Sequence, residues 1–287
     1  MAARRLIVTA DDLGISSEVN EGVVQAHRRG LLRFASLMVA GDAAGEAVER
    51  VREESPGLGI GLHLVLCRGR SVLAPAHLGG LVDEQGKFPD DPVACGLRYF
   101  FDASLQAPLE RELRAQFERF LSFGFAPGHV DGHLNIHAHP VVFPLAVRLA
   151  REYGFTRVRL PGGEFWRSAA YSWRPALKQV AEGSVFSLLR RYLSRAFADP
   201  RVEIVDRTYG LLRSGMMKEA YLLSLLAGLP EGTTEVYFHP SADPATAVTQ
   251  RPTAGHHTFT ELEALTSPSV RALLEREGVE LVSPPRD

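Results

Sequence analysis

Leu6-Ile7-Val8-Thr9-Ala10-Asp11-Asp12-Leu13-Gly14 carries an apolar, β-branched run straight into two carboxylates and a glycine. The run has the length and composition of a buried strand. Two adjacent acids directly behind it are hard to place in a core, because buried charge needs a partner or a metal. The plain alternative is a solvated turn that caps the next helix. Similar short apolar runs recur at 34–40, 58–65, 128–133, 156–160, 202–205, 234–238 and 279–282. Helical patterns lie between them, from Ser17 to Gly30, Pro108 to Gly124, Pro140 to Gly154 and Thr260 to Gly278. Their prolines suit a first helical turn, their glycines suit the position past a helix end, and Thr260 with Glu263 forms a capping box. This alternation is the pattern of βαβ units on a parallel sheet. Because 34–40 and 202–205 are weak as strands, the expected α/β fold is a distorted or incomplete (β/α) TIM-like barrel. It forms a single domain over residues 1–287, with a Gly- and Pro-rich loop insertion at about 68–105.

The bulk composition narrows the function. With 287 residues, 45% hydrophobic and 23% charged, the chain has ordinary globular usage, which argues against disorder and against an integral membrane protein. Its 32 basic and 34 acidic side chains are spread along the whole length, so no footprint for nucleic acid is visible. Cys67 and Cys95 have neither Cys-x-x-Cys spacing nor the density of a disulfide framework, and read as buried small hydrophobes in a reducing compartment. No apolar run is long enough for a secretory core or a bilayer span, so a cytoplasmic location is expected.

In α/β barrels the working groups sit where strands end. Besides Asp11 and Asp12, one run holds His63, in Gly61-Leu62-His63-Leu64. Taken alone, that histidine fits a satisfied core position better than a ligand. A denser group is Gly128-His129-Val130-Asp131-Gly132-His133-Leu134-Asn135-Ile136-His137-Ala138-His139, with four histidines in eleven residues. On a strand 129, 131 and 133 share one face, so a carboxylate sits beside two imidazoles and can fix the tautomer a metal needs. No Glu follows His133, which rules out the His-Glu-x-x-His zincin helix. Glu235-Val236-Tyr237-Phe238-His239-Pro240 closes another run on histidine, with Pro240 ending the strand. Arg159 closes a fifth run and suits either orienting a carboxylate or a surface salt bridge.

One carboxylate and two histidines leave a divalent ion open positions for water and substrate. Asp12, His63 and His133 form such a set, with zinc favoured by the histidines and magnesium as the alternative. Asp11 is then free to act as general base, and His239 to protonate a leaving amine. A phosphoesterase would want a second metal or converging basic residues. A glycoside hydrolase would need carboxylates flanking a bond, which adjacent residues suit poorly. A non-catalytic sugar-binding protein would not need Asp11.

The Leu6–Gly14 run, the Gly61-Leu62-His63 triplet and Asp131-Gly132-His133-x-x-x-His137 occur in an order that resembles the YdjC family of carbohydrate deacetylases. The resemblance covers nearly the whole chain. It implies a barrel-like fold, divalent-metal-dependent hydrolysis of an N-acetyl group on a sugar, metal ligands at Asp12, His63 and His133, and a base at Asp11. Asp131 and His137 are then expected around the ligands or against substrate, and Arg159 and His239 among the catalytic groups. The chain departs from the family pattern of serine and extra histidines at Gly132, Leu134 and Asn135 while keeping the ligand positions. Ala35-Ser36-Leu37-Met38-Val39-Ala40-Gly41, Gly80-Leu81-Val82-Asp83 and Gly96-Leu97-Arg98-Tyr99-Phe100-Phe101 resemble the hopanoid-biosynthesis branch of that family, HpnK. That branch implies N-acetylglucosamine carried on a bacteriohopane polyol lipid, and with it a peripheral contact at the inner face of the cytoplasmic membrane. Residues 186–197 combine apolar and basic side chains at helical spacing, as interfacial helices do, although a core-facing helix with one solvated side suits the pattern better.

Overall fold

A computed structural model describes residues 3–171, 177–246 and 256–285. Its centre is β1, Arg4–Leu13, buried along most of its length. On one side β1 pairs in parallel with β2, Phe34–Leu37, followed outward by β3, Gly59–Leu64, β4, His129–Gly132, and the two-residue β5, Arg157–Val158. On the other side lie β7, Gly232–Phe238, and then β6, Arg207–Tyr209. A last short strand, β8, Glu280–Leu281, also pairs with β1.

The sheet curls so that its outer edges nearly meet. Glu203 bridges Arg157 in parallel and Thr208 bridges Gly162 antiparallel. The run at 202–205 therefore forms isolated bridges, Val202 to Asp199 and Glu203 to Arg157, in a closing segment, and the strand itself lies at 207–209. Helices pack outside: α1, Ser17–Arg29, and α2, Ala44–Glu54, then α3, Pro92–Phe101, α4, Gln106–Ser122, and α5, Val142–Glu152. They continue with α6, Phe165–Tyr171, α7, Leu177–Ala196, and α8, Glu219–Leu226. The circuit closes with α9, Phe259–Thr266, and α10, Pro268–Glu277.

Local chemistry explains most of the boundaries. Ser16 caps α1 through Val19 N, and Gly124 and Gly154 take left-handed φ of 74° and 81° past α4 and α5. Pro140 lies two residues ahead of α5 rather than inside its first turn. The single helix expected over 260–278 is two. Pro268 lacks an N–H and forces Ser267 into an extended conformation, and Ser267 then caps α10 through Val270 N. The N-cap of α9 is Thr258, with Glu261 behind it, instead of Thr260 with Glu263. In the segment after β3, Arg70 and Lys87 form one antiparallel bridge and α3 follows. Tyr99 of α3 is buried, whereas Phe100 and Phe101 are exposed. Cys67 and Cys95 are free and buried. Among the described residues no helix is long and apolar enough to cross a membrane.

Candidate active site

The carboxyl ends of β1, β3, β4 and β7 converge on one buried polar chamber. At the end of β1 the register with β2 advances from Ala10↔Ala35 to Leu13↔Leu37, so β1 spends one extra residue there. This bulge, with Asp12 at φ 63°, lets two consecutive carboxylates both lie inside the barrel. Gly14, at φ 93°, completes the turn, and its N–H is held by Asn20 Oδ1 at 2.8 Å.

Asp12 is fully buried among imidazoles. His63 Nε2 stands 2.8 Å and His133 Nδ1 2.6 Å from Asp12 Oδ1, and His257 Nε2 stands 2.9 Å from Oδ2. Burial alone would raise the Asp12 carboxyl, but His133, His257 and His63 override it and hold it well below the usual range. His63 sits on β3 in register with Asp131 of β4, and its Nδ1 meets Asp131 Oδ1 at 2.7 Å. Burial disfavours the His63 cation, yet Asp131 and Asp12 raise it to about 10. His133 opens a short 3-10 turn in which Leu134 and Asn135 take φ of 52° and 56°, two consecutive left-handed residues without a glycine. Such backbone strain is concentrated at functional sites.

The second half of the chamber is organised by Arg159. It is buried, so the surface salt bridge is excluded. Its guanidinium reaches Asp11 Oδ2 at 2.6 Å, Asp131 Oδ2 at 2.8 Å and Glu235 Oε1 at 2.9 Å, and lies 4.4 Å from the centre of the Tyr237 ring. Burial raises the Asp11 carboxyl to about 7, with Arg159 opposing the rise and Asp131 reinforcing it. Asp11 Oδ2 is held by Arg159, while Oδ1 is buried without a hydrogen-bond partner among the described residues. Ser36 Oγ ties Asp131 Oδ2, at 2.6 Å, to His129 Nε2, at 3.0 Å.

His239, just past β7, is buried with Nδ1 3.3 Å from Ser214 Oγ, and burial pushes its imidazole down to about 3. His137 is buried with Nε2 3.0 Å from the Arg159 carbonyl oxygen. Asp11, Asp12, His63, Asp131, His133 and Arg159 thus share one connected network. His137 joins it only through the Arg159 backbone, and His239 stands beside it in ring contact with His257, centroids 5.9 Å apart.

Sequence reading missed Glu235, Tyr237 and His257. The first two alternate with His239 on the inward face of β7, a period-2 pattern that was available. His257 had one local mark, the His256-His257 pair directly before the Thr258 cap.

The donor set fits a divalent ion. Ligand atoms of Asp12, His63 and His133 lie within 4.8 Å of one another, all three residues are buried, and His133 Nε2 has no hydrogen-bond partner among the described residues. Asp11, His63 and Asp131 form an overlapping group. Asp131 is the poorer ligand, since Ser36 and the Arg159 guanidinium, neither of them a metal donor here, hold its Oδ2, whereas the oxygen of Asp12 that meets His63 and His133 faces two nitrogens able to turn to an ion.

The chain is similar over nearly its whole length to several known proteins. The chain is 33% identical over 288 residues to a carbohydrate deacetylase of Geobacillus stearothermophilus, spanning 98% of this chain and 96% of that one. It is 33% identical over 305 residues to a human carbohydrate deacetylase, spanning 96% and 89% of the two chains. With a chitooligosaccharide deacetylase of Serratia marcescens it shares 29% identity over 277 residues, 95% of each chain. A provisionally named cellobiose-phosphate cleavage protein of Enterococcus faecalis V583 superposes with a TM-score of 0.73 over 98% of both chains at 24% identity, which shows the shared fold. Residues 5–276 match the profile described as YdjC-like protein, and the chain belongs to that family.

Proposed function

We infer that this protein is a metal-dependent carbohydrate deacetylase that hydrolyses the N-acetyl group of an N-acetylglucosamine unit. The observation that carries the reading is the Asp12, His63 and His133 group lying beside an Asp11 carboxylate with one oxygen held and one left open. Relatives named as carbohydrate and chitooligosaccharide deacetylases support the substrate class. Asp12, His63 and His133 hold the ion, zinc in preference to magnesium because two donors are imidazoles. The ion supplies acidity, bringing a water towards a pKa of roughly 7 and polarising an amide carbonyl.

The protein's own residues do the rest. Asp11 Oδ1 takes the proton of the attacking water, and Arg159 fixes the orientation of that carboxylate through Oδ2. Asp131 fixes the His63 tautomer by accepting from Nδ1, which leaves Nε2 as the ligand atom. His239, kept neutral by burial, would give its ring hydrogen to the leaving nitrogen as its other ring nitrogen gains the proton that Asp11 took from the water. Residues 1–287 act as one deacetylase domain, with 68–105 as an insertion on it.

Within that class, the lipid-linked substrate of hopanoid biosynthesis is favoured by one feature. On α7, Val185, Leu188 and Tyr192 are exposed, and Leu188 and Tyr192 line a shallow groove with Arg191 and Arg195. The opposite side of the helix buries Leu193 and packs Phe186 and Leu189 on the core. An apolar stripe edged with arginines suits a peripheral contact with the inner face of an anionic membrane.

Free acetate measured with N-acetylglucosaminyl bacteriohopanetetrol and with soluble chito-oligosaccharides tests both levels. Release is expected from the lipid-linked sugar, and release from soluble sugars alone overturns the lipid assignment. Asp11→Asn should retain the ion and lose acetate release by at least about 100-fold. Full activity in that variant removes Asp11 as the base.

A further inference from the structure

His257 belongs to none of the motifs that locate the chamber, yet it meets the second oxygen of Asp12. Oδ1 is shared by His63 and His133, whereas Oδ2 faces His257 Nε2 at 2.9 Å. His257 does not join the group of ligand atoms lying within 4.8 Å of one another. An ion held by His63 and His133 binds nitrogens that otherwise donate a hydrogen to Oδ1, because one nitrogen cannot both bind a metal and donate a hydrogen. The contact to Oδ2 is outside that competition and survives it.

The backbone explains how so distant a residue arrives there. Thr258 N donates to the His239 carbonyl oxygen at 2.8 Å, and Ser241 N donates to the Thr258 carbonyl oxygen at 3.1 Å. This strap fastens position 257 beside the end of β7, with its ring against that of His239. The His257 side chain is 16% exposed and Asp12 is fully enclosed, so His257 stands on the solvent side of the carboxylate.

We propose that His257 is a positioning residue that anchors Asp12 through Oδ2 and thereby fixes Oδ1 as the oxygen presented to the ion. The proposal rests on the metal-binding reading above. With His257 in place Asp12 offers one oxygen; without it the carboxylate can rotate and offer both. Partners of this kind around a ligand are worth about 10–100-fold in metal affinity.

The test is zinc affinity measured in the absence of substrate, by competition with a chromophoric chelator, together with the visible spectrum of the cobalt-substituted protein. Parent, His133→Ala, His257→Ala and His257→Gln are compared. The expected result is tight binding by the parent, loss in His133→Ala, and weakening by about 10–100-fold with a changed cobalt spectrum in His257→Ala. His257→Gln, whose amide can still donate to Oδ2, should recover most of the affinity. Binding by His257→Ala equal to the parent, with His133→Ala defective, overturns the role of His257 and leaves the metal site standing. Lost acetate release at unchanged affinity also overturns it, since His257 would then act on substrate. A parent that binds no ion overturns both readings.

Discussion

Arg159 is the residue on which the interior charge balance turns. Asp11, Asp131 and Glu235 all reach its guanidinium, and each is buried. Replacement by methionine keeps the volume, removes the guanidinium that Asp11, Asp131 and Glu235 share, and leaves Asp131 to the charge of His63. Breaking a buried pair costs about 3–5 kcal/mol. Arg159→Met should therefore lose at least that much in urea unfolding. Arg159→Lys should recover little, because a single ammonium cannot present the fork that meets three acceptors. Stability close to the parent in the methionine variant would mean that these acids take up protons at little cost.

At the level of the strand, β3 shows why the triplet before the ligand begins with glycine. Gly61 and His63 project to the same face, two residues apart. An added Cβ at Gly61 would stand against Cε1 and Nε2 of His129, well inside van der Waals contact. That ring is tied through Ser36 to Asp131, which holds His63. Gly61→Ala should cost about 1–3 kcal/mol from overpacking and also weaken metal binding, because the displaced ring pushes on the same chain of contacts. Denaturation midpoints and chelator competition read the two effects separately. A stability loss with parent-like metal affinity would show that His129 moves without disturbing Asp131.

For the molecule as a whole, stability should depend on pH and on the ion. Glu164 is buried, and burial raises its carboxyl to about 7 although the N–H groups of Gly210 and Leu212 donate to it. A folded value above the unfolded one means the native state binds the proton more tightly. This group's contribution is thus complete below about 4.5 and lost as pH rises through about 7, a change on the order of 3 kcal/mol. Thermal unfolding followed from pH 4.5 to 8 should show that decline, and Glu164→Gln, which cannot titrate, should flatten it. An unchanged slope in the variant would place the dependence on other groups. Separately, an ion that binds only the folded chain adds about 2.7 kcal/mol at a hundredfold excess over its Kd. Zinc should raise the melting temperature of the parent and leave that of Asp12→Ala unmoved.

Much of this architecture was written locally. The apolar run into Asp11-Asp12, the clustered histidines after residue 128 and the Pro and Gly boundaries each act within a few residues. Periodicity, caps and left-handed turns are short-range physics, so the parallel barrel could be read from them, whereas grouping Asp12 with His63 and His133 needed the family resemblance beside the strand-end residues. Other features depend on pairings across the barrel. Whether Arg159 lay at the surface or in the core turned on Asp11, 148 positions away, and on Glu235, 76 away. His257 meets Asp12 across 245 positions. The run at 202–205 became a closing bridge because its partner is the far edge of the curled sheet. A local pattern can put a charged or aromatic side chain on a strand face. Burial and closure of the barrel determine which distant groups share that face, and therefore which carboxylate is held and which is left free to react.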